Sequence, residues 1–339
     1  MTHRSGILAG GNWIVDKLKL IDTYPQQDAL ANILDEKVGN GGSPFNILLD
    51  LANLGAKFPL AAVGLIGNDA DGQWVVNQCV QKNVNTDQLT KSSLSHTSYT
   101  YVMMAQKTAR RTFFHQRGVN ALLDDPHFNF ESSSARIFHL GYLLLLDRLD
   151  QPDDDFGTVA ARVLQRATLA GLKTSIDLVS EDSDRFKKIV LPALPHVDYC
   201  FLNEFEIERT TGILVRQNDK IDHVALKAAA EILIQAGVRE WVVVHFPEGA
   251  CAVGRNGQLR MQGSLCVPLS RIRGTVGAGD AFAAGVLYGL HEGCDMESAL
   301  IYGVCVAAAC LCEAGCSDGV RPLEECLMLK NEFGVRSGF

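Results

Sequence analysis

The stretch "RIRGTVGAGDAFAAGVLYGL", residues 271–290, decides how the rest of the chain is read. Gly274, Gly277 and Gly279 strip side chains from a junction where a small-residue, apolar helix is predicted to begin. Bare N–H groups at such a junction attract an anion, helped by the helix dipole. Asp280 nevertheless sits at the mouth, where it would repel a phosphate. Two readings account for it. It complements the dipole as a first-turn acid, or it is a base beside an attacking hydroxyl while the N–H groups hold a migrating phosphoryl group.

Two other phosphate-loop patterns fail on spacing. "GNDADGQW" (67–74) has glycines at P-loop distance, but Gln73 and Trp74 stand where Lys and Ser/Thr are required, so it reads as a strand-end turn. Gly277 and Gly279 lack the third glycine of a dinucleotide fingerprint, because Phe282 is there.

Outward from this junction the pattern is regular. "RIFHLGYLLLL", "KTSIDL", "VDYCFLN" and "EWVVVHF" read as strands, alternating with helices in "FGTVAARVLQRATLAG" and "HVALKAAAEILIQAG". That alternation predicts a parallel sheet with helices on both faces, whose ligands gather at the carboxyl ends of the strands. Asn256–Gly257 marks a hairpin, and three helical segments finish the chain. Nearer the amino end, "SPFNILLDLANLGA" (43–56) reads as helix and "LAAVGLIG" (60–67) as buried strand. Around them, 13–22 and 97–116 are extended and half polar, which predicts a small separate sheet.

At 339 residues and 47% hydrophobic content the chain can bury one large core. A net charge of −8 argues against a nucleic-acid footprint but leaves small anions open, since a local nest outweighs the global field. The longest apolar run, 301–312, is shorter than the ~20 residues of a membrane span. Ten scattered cysteines without a disulfide framework predict reduced thiols and a cytoplasmic protein. Cys310, Cys312 and Cys316 have no paired C-x-x-C or histidine set and read as small hydrophobes rather than metal ligands.

"GTVGAGDAFAAG" resembles the carboxyl-side signature of the ribokinase-like (PfkB) family of sugar and nucleoside kinases. "GGNWIVDKLKLID" resembles its first strand, "GNGGSPFNILLDLANLGAKFPLAAVGLIGNDADG" its Gly-Gly element with a downstream Asn, and "LNEFEIE" its Asn-x-x-Glu element. Four elements in order span most of the chain. The resemblance implies an α/β, ribokinase-like fold over 1–339, with a mainly parallel central sheet flanked by helices. It also implies a discontinuous β-sheet lid from about 13–40 and 94–118.

By the same resemblance Asp280 is the catalytic base, and Gly277, Ala278 and Gly279 offer N–H groups to the transferring phosphate. Asn12, Asp16, Gly41, Gly42 and Asn46 would hold the sugar, with Asn120 reading it from the lid edge beside Arg111, His115 and Arg117. Each has a plainer competitor, such as a helix cap for Asn46 and solvated strand positions for the lid residues. Asn203, Glu206, Thr275, Phe246 and Gly249 would surround ATP, and Glu206 would hold Mg²⁺ through water. The competing account of Asn203 and Glu206 is an ordinary cap and an exposed acid. Family lids often pair, which implies a possible homodimer.

Three departures stand out. Gly274 replaces an aspartate that commonly serves a monovalent-cation site, which puts potassium activation in doubt. Phe246 stands where the family often has Gly, and Asp177-Leu-Val replaces Asp-x-Asn. The expected activity is transfer of the ATP γ-phosphate to a hydroxyl, expected primary, of a monosaccharide or sugar acid. The rivals are a nucleoside kinase of the same family and a non-catalytic sensor that kept the fold.

Overall fold

The computed structural model describes residues 4–108 and 110–338. The amino-terminal part runs β1 (Ile7–Gly11), β2 (Ile14–Ile21), β3 (Ile33–Gly41), α1 (Ser43–Asn53), β4 (Leu60–Gly67), α2 (Ala70–Gln81), β5 (Val84–Ser92), β6 (Ser98–Ala105), β7 (Arg111–Gln116) and β8 (Ile137–Leu143). A two-residue ladder, β9 (Pro152–Asp153) with β10 (Gly157–Thr158), leads into α3 (Val159–Leu169), β11 (Lys173–Leu178), α4 (Phe186–Ala193), β12 (Tyr199–Asn203) and α5 (Glu204–Thr211). A second small ladder, β13 (Arg216–Gln217) with β14 (Lys220–Ile221), precedes α6 (His223–Gln235), β15 (Trp241–Phe246), β16 (Gly249–Gly254) and β17 (Leu259–Gly263). The chain finishes with α7 (Ala278–His291), α8 (Met296–Leu311) and α9 (Leu323–Phe333).

The main sheet has nine strands in the order β17-β16-β15-β12-β11-β8-β1-β4-β5. From β15 to β5 every neighbour is parallel, while β15, β16 and β17 form an antiparallel edge around the Asn256–Gly257 turn. β1 is buried along its whole length, as a strand must be when helices cover both faces of the sheet. One face packs Phe45, Leu48, Val286 and Leu300 from α1, α7 and α8. The other packs Phe138, Leu164, Val190 and Leu233 beneath α3, α4 and α6. The ribokinase-like architecture expected from the sequence is the one observed.

The strand-end turn at 67–69 runs straight into a helix the sequence reading omitted. Asp69 caps α2 by accepting from the Gly72 N–H at 2.8 Å. No described helix is long and apolar enough to cross a membrane, and all ten cysteines are free thiols.

A four-stranded sheet, β3-β2-β6-β7, lies apart from the main one. Its register places Asp16 opposite Thr100, and Thr100 opposite His115. Side chains opposite each other share a face. That row therefore looks into the cleft above the carboxyl ends of the parallel strands, where β11, β12 and β15 deliver Asp177, Asn203 and His245.

Candidate active site

Asp280 lies in the first turn of α7, only 4% exposed. Gly277 caps that helix with φ 79°, a left-handed conformation that costs a residue with a Cβ far more than glycine. A side chain there would also strike Cys316 at 2.7 Å. Glycine thus lets the chain turn tightly enough to aim first-turn N–H groups, which lack intrahelical partners, into the cleft.

Both oxygens of Asp280 are held. Tyr142 donates its hydroxyl to Oδ1 and Oδ2 at 2.8 and 2.7 Å. Asn46 donates Nδ2 to Oδ2 at 2.7 Å, while its own Oδ1 accepts from Asn40 at 2.7 Å. Burial pushes the Asp280 carboxyl up to about 6, and donations from Asn46, Tyr142, Asp177 and Ser43 pull the other way. A mostly ionised carboxylate at neutral pH with affinity for a proton is what a general base requires.

On the opposite wall, burial raises Asp16 to about 7, against hydrogen bonds with Thr100 and Cys316 and in the same direction as the charge of Asp280. Gly41 makes room for it, since a Cβ at 41 would lie 2.5 Å from Oδ1 of Asp16. Thr100 bonds to Nδ1 of His115 at 3.0 Å, extending the row across the sheet.

Asn203 and Glu206 form a reciprocal capping box at the start of α5. The Asn203 side chain accepts from the Glu206 N–H, and Oε2 of Glu206 accepts from the Asn203 N–H, each at 2.9 Å. The cap expected as the plainer reading is therefore real, but the acid is buried, not exposed. Burial pushes Glu206 up to about 7. Asp177, whose claim looked weak in the sequence, lines the same cavity. Burial first, then the charges of Asp280 and Glu206, lifts it well above the carboxylate range, and it donates its proton to Asp280.

Asp16, Gly41, Gly42, Asn46, Gly277 and Asp280 line one polar cavity of about 550 Å³. A second, apolar cavity of about 570 Å³ adjoins it, walled by Phe246, Gly249, Ala278, Phe282, Leu265 and Ala308. Thr275, Gly279, Asn203 and His245 border both.

Asn12 and Asn120 line neither cavity. Asn12 is fully buried, accepting from the Tyr142 N–H at 2.6 Å and donating to the Leu145 carbonyl at 3.0 Å. Asn120 donates to the Trp13 carbonyl at 3.1 Å. Their polar groups satisfy backbone, so Asn12 positions Tyr142 rather than a sugar. Asn46 reaches the cavity but spends its donor on Asp280. Arg117 pairs with Asp147 at 3.2 Å. Tyr142 and His245 were missed in the sequence; both close parallel strands at the carboxyl edge, which is the one signal that marks them.

Gly274 has an unexpected neighbour. The point where its Cβ would lie is 2.7 Å from Nη2 of Arg111 and 2.9 and 3.1 Å from the carbonyl oxygens of Glu313 and Ala314. A guanidinium from β7 thus occupies the space an acidic side chain at 274 would enter.

The family model for pfkB family carbohydrate kinases matches residues 14–322. The chain belongs to that family. It is an ATP-dependent phosphotransferase acting on sugars. Among relatives, 5-dehydro-2-deoxygluconokinase of Clostridium perfringens is 22% identical over 303 residues, covering 84% of this chain and 81% of the relative. Ketohexokinase of Mus musculus is 24% identical over 322 residues, covering 93% and 98%. The ribokinase of Arabidopsis thaliana, solved with ribose and ATP, superposes with a TM-score of 0.77 at 19% identity, covering 96% of this chain and 98% of that one. At that identity the superposition speaks for the fold.

Proposed function

We propose that this kinase transfers the γ-phosphate of ATP to a hydroxyl, expected primary, of a monosaccharide or sugar acid held in the polar cavity. The observation that carries the reading is the position of Asp280, at the mouth of a helix N-terminus and in the polar cavity, one residue from Gly279, which borders the apolar cavity as well. The substrate oxygen attacks phosphorus, the bond to the departing ADP breaks, and Asp280 takes the hydroxyl proton. N–H groups of Gly277, Ala278 and Gly279 take up negative charge on the phosphoryl oxygens. The apolar cavity suits adenine, with Phe246 and Gly249 on its wall and Thr275 and Asn203 toward the phosphates. The four-stranded sheet, from about 13–40 and 94–118, acts as a lid whose closure excludes water.

Among the described residues no three carboxyl, histidine or cysteine side chains converge to hold an ion directly. The hard oxygens of Glu206 in the polar cavity would therefore hold Mg²⁺ from a second layer. Both Glu206 oxygens already accept hydrogen bonds, so Glu206 would reach the ion through water. The ion would neutralise phosphate charge; the chain's own residues orient the acceptor and remove its proton.

A panel of monosaccharides, sugar acids and nucleosides scored by ADP release tests the reading. Turnover on nucleosides alone would establish the rival kinase, and no turnover on any acceptor would favour a sensor. The cavity wall, with Asp16, Asp177 and Asp280 beside Thr100 and His115, favours a polyhydroxylated ligand over a flat base.

Arg111 supports a further reading, that a fixed guanidinium stands in for a monovalent cation beside Gly274. Exchanging K⁺ for Na⁺ at constant ionic strength should leave turnover unchanged within about twofold. Clear potassium activation would overturn this. Pairing of two lids is supported by the row Val38, Lys17, Tyr101 and Phe114 across the outer face, with Val38 56% and Phe114 51% exposed. Sedimentation should show a dimer that Phe114→Lys weakens; a wild-type monomer would refute it.

A further inference from the structure

Of the residues bordering both cavities, Asn203, His245, Thr275 and Gly279, only His245 carries an ionisable ring. It stands near the end of β15, in register with Asn203 on β12 and Ala250 on β16. Its ring leans on the first turn of α7: Cε1 and Nε2 lie 3.1 and 3.2 Å from the point where a side chain at Gly279 would begin. The Phe282 ring flanks it, with centroids 5.3 Å apart and planes tilted by 44°. A Cβ at 279 would make the imidazole give way by a few tenths of an ångström.

The ring is thus fixed by packing alone. Among the described residues it has no hydrogen-bond partner, although Glu206 and Asp280 line the same cavity and find donors elsewhere. The residue is partly exposed where it faces the two cavities, so its ring nitrogens are open to a ligand there. Burial pushes its pKa down to about 4, so at neutral pH it offers one N–H donor and one acceptor nitrogen.

We infer that His245 is a catalytic residue that donates a hydrogen bond to the phosphoryl group as it passes between the two cavities. It completes a donor set whose other members are the N–H groups of Gly277, Ala278 and Gly279. The ring keeps its proton throughout; the only proton transferred is the one Asp280 takes from the acceptor hydroxyl. The inference rests on the kinase reading, and it places the phosphoryl path on the wall shared by the two cavities.

The test compares His245→Ala and His245→Gln with the wild type, by ADP release and by calorimetric binding of ATP and of adenosine. His245→Ala should lower kcat roughly 10²-fold, the scale of losing one preorganised donor, and leave the acceptor KM nearly unchanged. It should weaken ATP but not adenosine, which has no phosphate to contact. His245→Gln, which restores an N–H donor, should recover part of the loss and serves as the test should the alanine variant fold poorly. Equal weakening of ATP and adenosine would reveal a packing role and overturn the inference, as would unchanged kcat. If the wild type phosphorylates no acceptor, the kinase reading fails, while the ATP and adenosine comparison still decides whether His245 meets phosphate.

Discussion

Asp280→Asn should lose roughly 10²–10⁴-fold in kcat, the range associated with removing a positioned general base, while ATP and sugar still bind. The amide is nearly isosteric, so the Tyr142 and Asn46 side chains keep a partner at each position, yet the variant cannot accept the hydroxyl proton. Near-normal turnover in this variant would remove Asp280 from the mechanism. In the wild type, kcat/KM should fall as pH drops through about 6, where burial has raised the carboxyl and protonation disables the base. The apparent value belongs to the site as a whole, because Asp177 and Asp280 share a hydrogen bond and titrate together. Rates flat down to pH 4.5 would contradict that assignment.

Without ligands, the buried acids of the site should weaken the protein as pH rises from 5 to 8. Asp16 and Glu206 are raised to about 7 and Asp280 to about 6, all by burial first. A carboxyl whose pKa is higher in the folded state binds more protons there than in the unfolded chain. Its contribution is complete below the unfolded value near 4 and is lost as pH climbs through 6–7. Each group changes stability by at most about 1.4 kcal/mol per pH unit across that window. Together these groups should cost at least ~3 kcal/mol by pH 8. His115, His139 and His245, lowered by burial to about 4, 3 and 4, oppose this by gaining stability as pH rises toward the ordinary histidine value. The measure is therefore a difference: from pH 5 to 8 at low salt the melting temperature of Asp280→Asn should fall less, or rise more, than that of the wild type. Magnesium with ATP should raise the melting temperature by binding the folded state alone. Parallel profiles for Asp280→Asn and the wild type from pH 5 to 8 would refute the crowding of these acids. This predicted cost is the expected signature of a site organised to hold charge rather than to hold the fold.

Much of the architecture was legible because periodicity and punctuation are local. The run 60–67 has the bounds of β4, and "KTSIDL" is β11. The nest at Gly277–Asp280 could be read because consecutive residues supply both the turn and the acid. The Asn203 and Glu206 pair could be placed at a helix start, since three-residue spacing suffices for a capping box. Whether Glu206 was buried could not, because burial depends on Ser180 and the neighbouring strands.

The chain's own order of residues therefore determined the alternation of strands and helices, the glycine nest and the presence of an acid at its mouth. Tertiary structure decided which polar side chains face the cleft. Asn12 and Asn120, adjacent to the right motifs, turned inward to satisfy backbone groups that no local partner could reach. Tyr142, Arg111 and His245 came to Asp280, Gly274 and Gly279 from positions 138, 163 and 34 residues away along the chain. Strand order and register set those meetings, and they depend on the packing of the whole sheet rather than on any single stretch.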